Sequence, residues 1–428
     1  MAQTTLPKTI QADRSMVVGE LASLLPLTSD TWFPQGNDYL DDPQAQIRAD
    51  NNNVPLSRRS HFLRYVAASS FVHCGDAWSY LGRSLDALIR GDLTGSIHLL
   101  YYAELRAAIS LLASEGIFIG NRHHLTVDAN DTHHLSTEGT HRAVWQILER
   151  WAQENRSLDL LYDVFRPGRS PFSDWMQRLT PLAARAKIEQ LLEVISFDLK
   201  SFDTDHKQRN RASYQPTRLK PRDVDSAAVQ SLVSETWRYL EPGPGGAFPV
   251  LDDALLPEML TAIFHSRCDP TPPWIDWVTS ITPPSLEGSA LAVALQDNDK
   301  RTNDSTLLGA LYPAENSETD AVKCIRPMTA RAVVLLRIAT GSCVSLLRDS
   351  GHDTNAISAW TTSLAVGRGL WSPGKEPSNR LDLWADIEIA LEEINAATPT
   401  TRSDFLRTLP TSLLALGQAE RVPVWSFA

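Results

Sequence analysis

The chain has 428 residues, of which 43% are hydrophobic and 21% are charged, and its formal net charge is −11. This length exceeds the size at which a single core stops growing, so two domains are expected. The negative charge argues against a non-specific nucleic-acid coat and a polybasic membrane binder, although it is compatible with a local basic pocket for RNA.

No feature of a membrane or secreted protein is found. The most apolar stretch, 332–347, is interrupted by Arg337 and by small polar residues, so no transmembrane helix is predicted. The N-terminus lacks a basic start followed by an apolar core, so no signal peptide is predicted. The four cysteines are scattered without a CxxC pair, which is typical of reduced thiols. We therefore expect a cytoplasmic protein that does not bind a membrane.

Residues 1–60 are predicted to form an irregular N-terminal arm. Their composition is polar and rich in Asp and Asn, and only one short helix is expected, near residues 16–25. Such a composition is typical of a surface arm or loop.

Residues 61–240 are predicted to form a helical domain, because apolar side chains recur there at helical spacing. The clearest amphipathic stripes lie in 143–151, 188–202 and 229–237. Alternation of the kind expected for strands is nearly absent. The pattern therefore predicts a helical bundle.

A domain boundary is predicted at 241–249, where three prolines and three glycines in nine residues cannot continue a helix. Residues 250–428 are predicted to form a second helical domain. One of its helices is expected to carry Pro327 in its first turn and to end at Gly351. The predicted fold class of the whole chain is all-α.

A polar line runs down one otherwise apolar helix of the first domain. Tyr102, Arg106 and Ser110 are spaced i, i+4 and i+8, which places them on one face. Burying such polar groups costs free energy unless they have hydrogen-bond partners or face a cleft. Tyr102 and Arg106 are therefore candidates for substrate binding. The alternative is that Arg106 forms a structural ion pair in the helical core.

A basic cluster stands out in this acidic chain: His206, Lys207, Arg209 and Arg211 lie within six residues. Pro216 favours an extended conformation for the residue before it, so the cluster is expected at or near a helix C-terminus. Cations at that position also complement the helix dipole, which is the alternative to a binding role.

These two segments together resemble the HEPN domain. The pattern Tyr-Tyr-Ala…Arg-Ala-Ala…Leu-Leu-Ala-x-x-Gly-Ile of 101–117, followed by His123, resembles the leading core helix of that family, and Arg209-Asn210-x-x-x-Tyr214 resembles its trailing motif. The resemblance covers residues 64–240 at most. It implies a helical bundle that is commonly dimeric. Many HEPN proteins are RNA-cleaving toxins or antiphage-defence nucleases, and others bind nucleotides or are inactive scaffolds.

One position departs from the family pattern, because Tyr214 stands where a histidine is usual. A metal-independent RNase needs a proton acceptor or donor, and an arginine for the phosphorane charge. A tyrosine, with a reference pKa of about 10, is a poor base at neutral pH, so His206 is the candidate substitute. The predicted catalytic residues are Arg209, Asn210, Tyr214 and His206, and the predicted substrate-binding residues are Tyr102, Arg106, His123, Lys207 and Arg211.

Five histidines lie within 19 residues: His123, His124, His133, His134 and His141. Imidazole is a common metal ligand, but the HExxH and CxxC/HxxxH spacings are absent, so no metal site and no cofactor are predicted. The alternative is that this segment lines the same cleft as Arg106 and Arg209.

Three functions are compatible with these patterns. The first is a HEPN-like endoribonuclease of the toxin or antiphage-defence type, working across a dimer cleft. The second is a non-catalytic HEPN-like module that binds RNA, a nucleotide or a partner protein within a larger defence complex. The third is a structural subunit that docks on its neighbours through tryptophan-rich faces around Trp371, Trp384 and Trp425.

Overall fold

The computed structural model describes residues 6–7, 9–33, 35–178, 199–214, 225–243, 248–265, 273–296, 306–309, 321–397, 406–407 and 409–427. Within these ranges the chain forms 18 α-helices and one small three-stranded sheet. The predicted all-α class is therefore confirmed for a mostly helical fold. The sheet was not predicted.

The N-terminal half contains α1 (Arg14–Leu24), α2 (Pro43–Ala49), α3 (Arg59–Ile89), α4 (Leu93–Ser114), β1 (Ile117–Ile119), β2 (His124–Val127), β3 (Thr132–Ser136), α5 (Thr140–Ala152), α6 (Asn155–Val164), α7 (Phe172–Met176), α8 (Leu199–Tyr214) and α9 (Ser226–Tyr239). The C-terminal half contains α10 (Pro249–His265), α11 (Trp274–Ile281), α12 (Ala290–Gln296), α13 (Thr306–Gly309), α14 (Ala321–Asp349), α15 (Ser358–Gly367), α16 (Asp382–Ala396), α17 (Pro410–Leu416) and α18 (Arg421–Ser426).

Helices α3 and α4 form a long antiparallel hairpin. The turn between them needs Gly91, whose φ of 80° lies in the left-handed region that favours glycine. Asp92 then caps α4, because its carboxylate accepts a hydrogen bond from the Gly95 amide. Ser110 on α4 donates to the backbone carbonyl of Ser70 on α3 at 2.7 Å. The hairpin is the frame on which the other helices pack.

Helix α14 packs along both helices of this hairpin. The indole of Trp78 on α3 donates to Thr340 on α14 at 3.0 Å, inside the core. Residues 325–349 are long and apolar enough to cross a membrane by length and composition, but most of this stretch is buried inside the structure, as in the core helix of a folded domain. The helix begins at Ala321, so the predicted start was wrong: Pro327 lies inside the helix and not in its first turn.

The predicted boundary at 241–249 separates α9 from α10 in sequence. Helices from the two sides of that segment nevertheless pack together, α14 against α4 and α17 against α3. Their buried apolar side chains belong to one continuous hydrophobic cluster. The division into domains 61–240 and 250–428 stays a prediction.

The small sheet follows α4 and consists of three antiparallel strands in the order β1-β2-β3. Ile117 pairs with Thr126, and Val127 pairs with Thr132. The turn between β2 and β3 is stabilised by Asp128, which accepts hydrogen bonds from the amides of Asn130 and Asp131. The short strands carry too few residues for a clear alternation in the sequence, which is why the pattern missed them.

The N-terminal segment packs on the helical core. Arg14 at the start of α1 contacts Glu115 at the end of α4, with 3.0 Å between Nη1 and Oε1, and Asp349 at the end of α14. The side chains of Val17 and Leu21 are fully buried. The segment contains the expected short helix and also α2, which was not predicted.

Of the three predicted amphipathic stripes, 143–151 falls in α5 and 229–237 in α9. Most of the stripe at 188–202 lies outside the described residues. Its last member, Phe202, is buried and stacks on Trp145 of α5, with ring centroids 4.3 Å apart. Helix α8 is thereby held against α5 and α4.

Candidate functional site

One face of α8 carries four polar side chains, His206, Arg209, Asn210 and Ser213. Their spacing of i, i+3, i+4 and i+7 places them on a single stripe of the helix. Ser213 hydrogen-bonds His98 of α4 at 2.8 Å, and Arg209 reaches Tyr102 of the same helix. The stripe therefore faces α4.

Helices α4 and α5 contribute the other side of the site. His98, Tyr101 and Tyr102 lie on adjacent turns of α4, and the His98 and Tyr102 ring centroids are 5.0 Å apart. His141, in the first turn of α5, places its Nδ1 3.0 Å from the Tyr101 hydroxyl. We call His98, Tyr101, Tyr102, His141, His206, Arg209 and Asn210 the His–Tyr–Arg cluster.

Arg209 is held by neutral groups. Its Nη2 donates to the Tyr102 hydroxyl at 2.5 Å, and its Nη1 donates to Asn210 Oδ1 at 2.9 Å. The guanidinium carbon lies 5.2 Å from the centre of the Tyr102 ring and 5.9 Å from that of Tyr101, within the range of cation–π attraction. Within the described part of the chain no carboxylate contacts Arg209, and its Nε has no hydrogen-bond partner. No described residue therefore neutralises its positive charge in a close ion pair.

Two imidazoles stack beside this guanidinium. The ring centroids of His141 and His206 are 5.4 Å apart with an interplanar angle of 13°, and the His206 ring also stacks on Tyr101. Asn210 Nδ2 lies 3.3 Å from His206 Nε2, one helical turn away. The cluster thus brings two histidines from different helices to one arginine.

The electrostatics of the cluster keep His141 and His98 neutral. Burial, followed by the charges of Arg209 and His206, lowers the pKa of His141 to about 4. Burial and Arg209 also lower the pKa of His98. Burial raises the pKa of Tyr101, so its hydroxyl stays protonated. At neutral pH the site therefore combines the Arg209 cation with the neutral imidazoles of His98 and His141, which can accept protons.

A buried carboxyl pair lies directly beneath the cluster. Glu104 on α4 and Asp205 on α8 are 0% and 1% exposed, and both are close to Arg331 of α14. Arg331 donates to Asp205 Oδ2 from Nε at 2.9 Å and from Nη2 at 2.5 Å, whereas Glu104 Oε1 is 3.6 Å from the nearest Arg331 nitrogen. Burial and the neighbouring Asp205 raise the pKa of Glu104 well above its usual range. We conclude that Asp205 is the ionised member and Glu104 the protonated one.

The structure brings together only some of the residues predicted from the sequence. Arg209, Asn210, His206 and Tyr102 belong to the cluster. The other predicted residues of α8 lie outside it: Lys207 and Arg211 are exposed, and Tyr214 is 79% exposed. Five helical positions separate Tyr214 from Arg209, which turns the two side chains about 140° apart around the helix axis.

Arg106 and His123 also lie outside the cluster. Arg106 is one turn beyond Tyr102 and donates from Nη1 to His73 Nδ1 of α3 at 2.8 Å. Each step of four residues drifts about 40° around a helix, which is why the polar line of α4 does not stay on one contact surface. His123 lies in the turn between β1 and β2, where burial and the charges of Arg48 and His134 lower its pKa.

The sequence patterns missed three members of the cluster as site residues, His98, Tyr101 and His141. His98 could have been found from the first helical motif because it lies i−4 from Tyr102, and Tyr101 is the first residue of that motif. The sequence marks His141 only as one of five close histidines. No local spacing could have linked His141 to α8, since the two meet only through tertiary packing.

The five histidines have separate roles. His133 pairs with Asp128 at 2.7 Å, and His124 hydrogen-bonds the Glu138 backbone carbonyl at 2.9 Å, so both stabilise the hairpin and its flank. Only His141 joins the cluster. Among the residues that the structure describes, no group of three or more His, Cys, Asp or Glu side chains is arranged to hold a metal ion.

The tryptophans proposed as docking residues lie at least partly inside the fold. Trp425 is 4% exposed, and its ring packs against Trp384 and Trp237 with centroids 5.9 and 6.4 Å apart. Trp371 and Trp384 are half-buried. Trp425 therefore stabilises the C-terminal helices and does not form a docking surface.

No protein-family model, no curated protein and no solved structure matches this chain.

Proposed function

We propose that this chain is a HEPN-like, metal-independent endoribonuclease whose catalytic site is the His–Tyr–Arg cluster. One observation carries the proposal: His141 and His206 stack beside Arg209, whose charge is not neutralised by a carboxylate among the described residues. Two imidazoles and one unneutralised guanidinium are the groups that phosphodiester cleavage without a metal requires.

In the proposed reaction the ribose 2′-hydroxyl attacks the adjacent phosphorus. The bond from phosphorus to the 5′-oxygen of the next nucleotide breaks, and a 2′,3′-cyclic phosphate forms. A base takes the proton of the 2′-hydroxyl, an acid gives a proton to the leaving 5′-oxygen, and a cation stabilises the charge on the phosphorane oxygens.

His141 is the proposed base. Its pKa of about 4 keeps the ring neutral at physiological pH. In the tautomer whose Nδ1–H donates to the Tyr101 oxygen, Nε2 carries the lone pair that accepts the proton. Tyr101 therefore acts as a positioning residue that fixes the tautomer and the ring plane.

His206 is the proposed acid, and Arg209 is the proposed phosphate ligand. Asn210 accepts from Arg209 Nη1 and contacts His206 Nε2, and so holds both side chains on one face of α8. To act as the acid, His206 first takes up a proton from solvent at Nε2 in place of the contact with Asn210 Nδ2. The planar guanidinium of Arg209 can donate to two phosphate oxygens at once. The Tyr102 hydroxyl supplies a further donor beside it. This assignment gives the role of the missing family histidine to His141, and Tyr214 has no part in it.

The biological setting follows from the HEPN resemblance. An RNA-cleaving effector of the toxin or antiphage-defence type, acting in the cytoplasm as a homodimer or as a subunit of a complex, is the setting that this family implies. The net charge of −11 supports recognition through a local site in preference to a broad basic surface.

The test is cleavage of a single-stranded RNA by the purified full-length protein in the presence of EDTA. We expect products that end in a 2′,3′-cyclic phosphate, and no cleavage of the matching DNA strand, which lacks the 2′-hydroxyl. Arg209→Ala, His141→Ala and His206→Ala should each lower kcat/KM by about 100-fold or more.

Tyr214→Phe is the matched control, because this tyrosine is exposed and lies outside the cluster. It should cut RNA as the parent does. A folded Arg209→Ala variant with parental activity would overturn the proposal. RNA binding that depends on Arg209 and Arg211 without any cleavage would instead favour the non-catalytic HEPN-like module.

A further inference from the structure

A row of aromatic and basic side chains extends the His–Tyr–Arg cluster onto α3. Tyr80 of α3 stacks on Tyr102, with ring centroids 5.4 Å apart and an interplanar angle of 28°. One turn further along α3, the guanidinium of Arg83 lies 6.0 Å from the centre of the Tyr80 ring. The order of groups is therefore Arg209, Tyr102, Tyr80 and Arg83, with a cation at each end and two stacked rings between them.

Arg83 is available for an anion. Its side chain is exposed, and within the described residues it makes no hydrogen bond and no close ion pair. Asp86, one turn away, is engaged by Arg90, whose Nε lies 2.9 Å from both carboxylate oxygens. Asp76 acts on Arg83 only through its longer-range field, and burial raises the pKa of the Asp76 carboxyl.

This order of groups fits a single nucleic-acid strand. Proteins bind such strands with basic groups that follow the phosphates and with aromatic rings on which bases stack. In a duplex the bases are paired and stacked inside the helix, so they are not presented to such rings. Guanidinium groups suit phosphates because their planar donors match two oxygens.

We propose that single-stranded RNA leaves the cleavage site across α3, with a neighbouring phosphate on Arg83 and an adjoining base on Tyr80. In the structure the Arg83 guanidinium lies over one face of the Tyr80 ring, 6.0 Å from the ring centre. When the guanidinium turns to a phosphate, that face is exposed to the base. This inference rests on the proposed function for the position of the scissile phosphate at Arg209, whereas strand binding itself is measurable without cleavage.

Binding is tested first with the full-length protein and a short 2′-O-methyl oligoribonucleotide, which cannot be cleaved, by fluorescence anisotropy. Arg83→Ala and Tyr80→Ala should each weaken binding about tenfold, as loss of a stacking or phosphate contact does. Tyr80→Phe keeps the ring and should bind as the parent does. Arg48→Ala is the matched control, since it removes an exposed arginine of the same charge on α2, outside the row, and leaves the Arg90–Asp86 pair intact.

Cleavage assays then distinguish the proposed nuclease from the proposed strand-binding subsite on α3. On a cleavable strand, Arg83→Ala should raise KM about tenfold with little change in kcat, and the effect should be smaller on a dinucleotide, which is too short to reach α3. Arg48→Ala should leave both values unchanged.

The possible results decide separately about the nuclease and about the α3 subsite. If the parent cuts RNA while Arg83→Ala and Tyr80→Ala bind and cut as the parent does, the α3 subsite is overturned and the nuclease stands. If the oligonucleotide binds through Arg83 and Tyr80 but no RNA is cut, the nuclease is overturned and the strand-binding row stands. Duplex RNA that competes as well as the single strand would overturn the choice of a single strand, and absence of both binding and cleavage would overturn both proposals.

Discussion

Two arginine sites in this molecule have opposite surroundings. Arg337 of α14 is fully buried and forms a two-pronged ion pair with Asp252 of α10, with both nitrogen–oxygen distances at 2.8 Å. It also donates to the Val164 backbone carbonyl at 2.6 Å. Both guanidinium groups lie over two aromatic rings, but Arg209 is only half-buried and donates to neutral groups, a tyrosine hydroxyl and an amide oxygen.

The two arginines differ in whether a carboxylate neutralises the charge of the guanidinium group. The charge of Arg337 is neutralised by a carboxylate, so this residue connects α14 to α10 and to the end of α6. Among the described residues only neutral groups contact the guanidinium of Arg209, so we expect its charge to stay available for an anion. We therefore expect the partners of an arginine, more than its burial, to separate a structural residue such as Arg337 from the proposed binding residue Arg209.

The largest expected effect is on stability at the buried pair. Arg337→Ala should lower the free energy of unfolding by about 3–5 kcal/mol, because it leaves Asp252 buried without its partner. Arg209→Ala should cost only about 1 kcal/mol, since its hydrogen bonds are to neutral groups. Chemical denaturation of both variants measures this contrast. Equal losses would contradict the distinction between the two arginines.

A second prediction concerns the carboxyl pair beneath the cluster. The folded-state pKa of Glu104 is raised, so its contribution to stability is complete below its unfolded pKa of about 4.3 and is lost as the pH rises toward the folded value. Glu104→Gln keeps a neutral hydrogen-bond donor and removes this titration. Relative to the parent, the free energy of unfolding of the variant should increase by up to about 1.4 kcal/mol per pH unit between pH 5 and the folded-state pKa of Glu104.

Urea denaturation at several pH values measures this gain. The control is Asp205→Asn, the same change in the neighbouring group, which removes the ionised partner of Arg331 and should destabilise the protein at neutral pH. A pH-independent loss of stability in Glu104→Gln would mean that Glu104 is ionised in the folded protein.

The smallest expected effect is on the His141 pKa. Burial is the main cause of its low value and Arg209 the second, so Arg209→Gln should raise this pKa only part of the way from about 4 toward the ordinary value of about 6.5. Two-dimensional NMR of the imidazole protons follows the titration independently of any activity. An unchanged pKa in Arg209→Gln would show that the guanidinium charge does not reach His141.

Much of α8 could have been predicted from helical geometry. The stripe of His206, Arg209, Asn210 and Ser213 follows from a period of 3.6 residues, and the same period separates Tyr214 from Arg209. Tyr214 belongs to the predicted site through its family-like spacing in the sequence, which takes no account of its position around the helix axis. The placement of Arg106 could not be predicted, since it depends on the neighbouring His73 of α3.

By itself the sequence determined the helical class and the two segments, 101–117 and 206–214, from which most of the cluster comes. Both follow from local periodicity, which depends on residues a few positions apart. Tertiary structure alone decided that α5 would supply His141, that Tyr80 and Arg83 would extend the row, and that Asp252 would neutralise Arg337. These outcomes depend on packing between helices that are distant in the chain, and no local pattern encodes which side chains then meet.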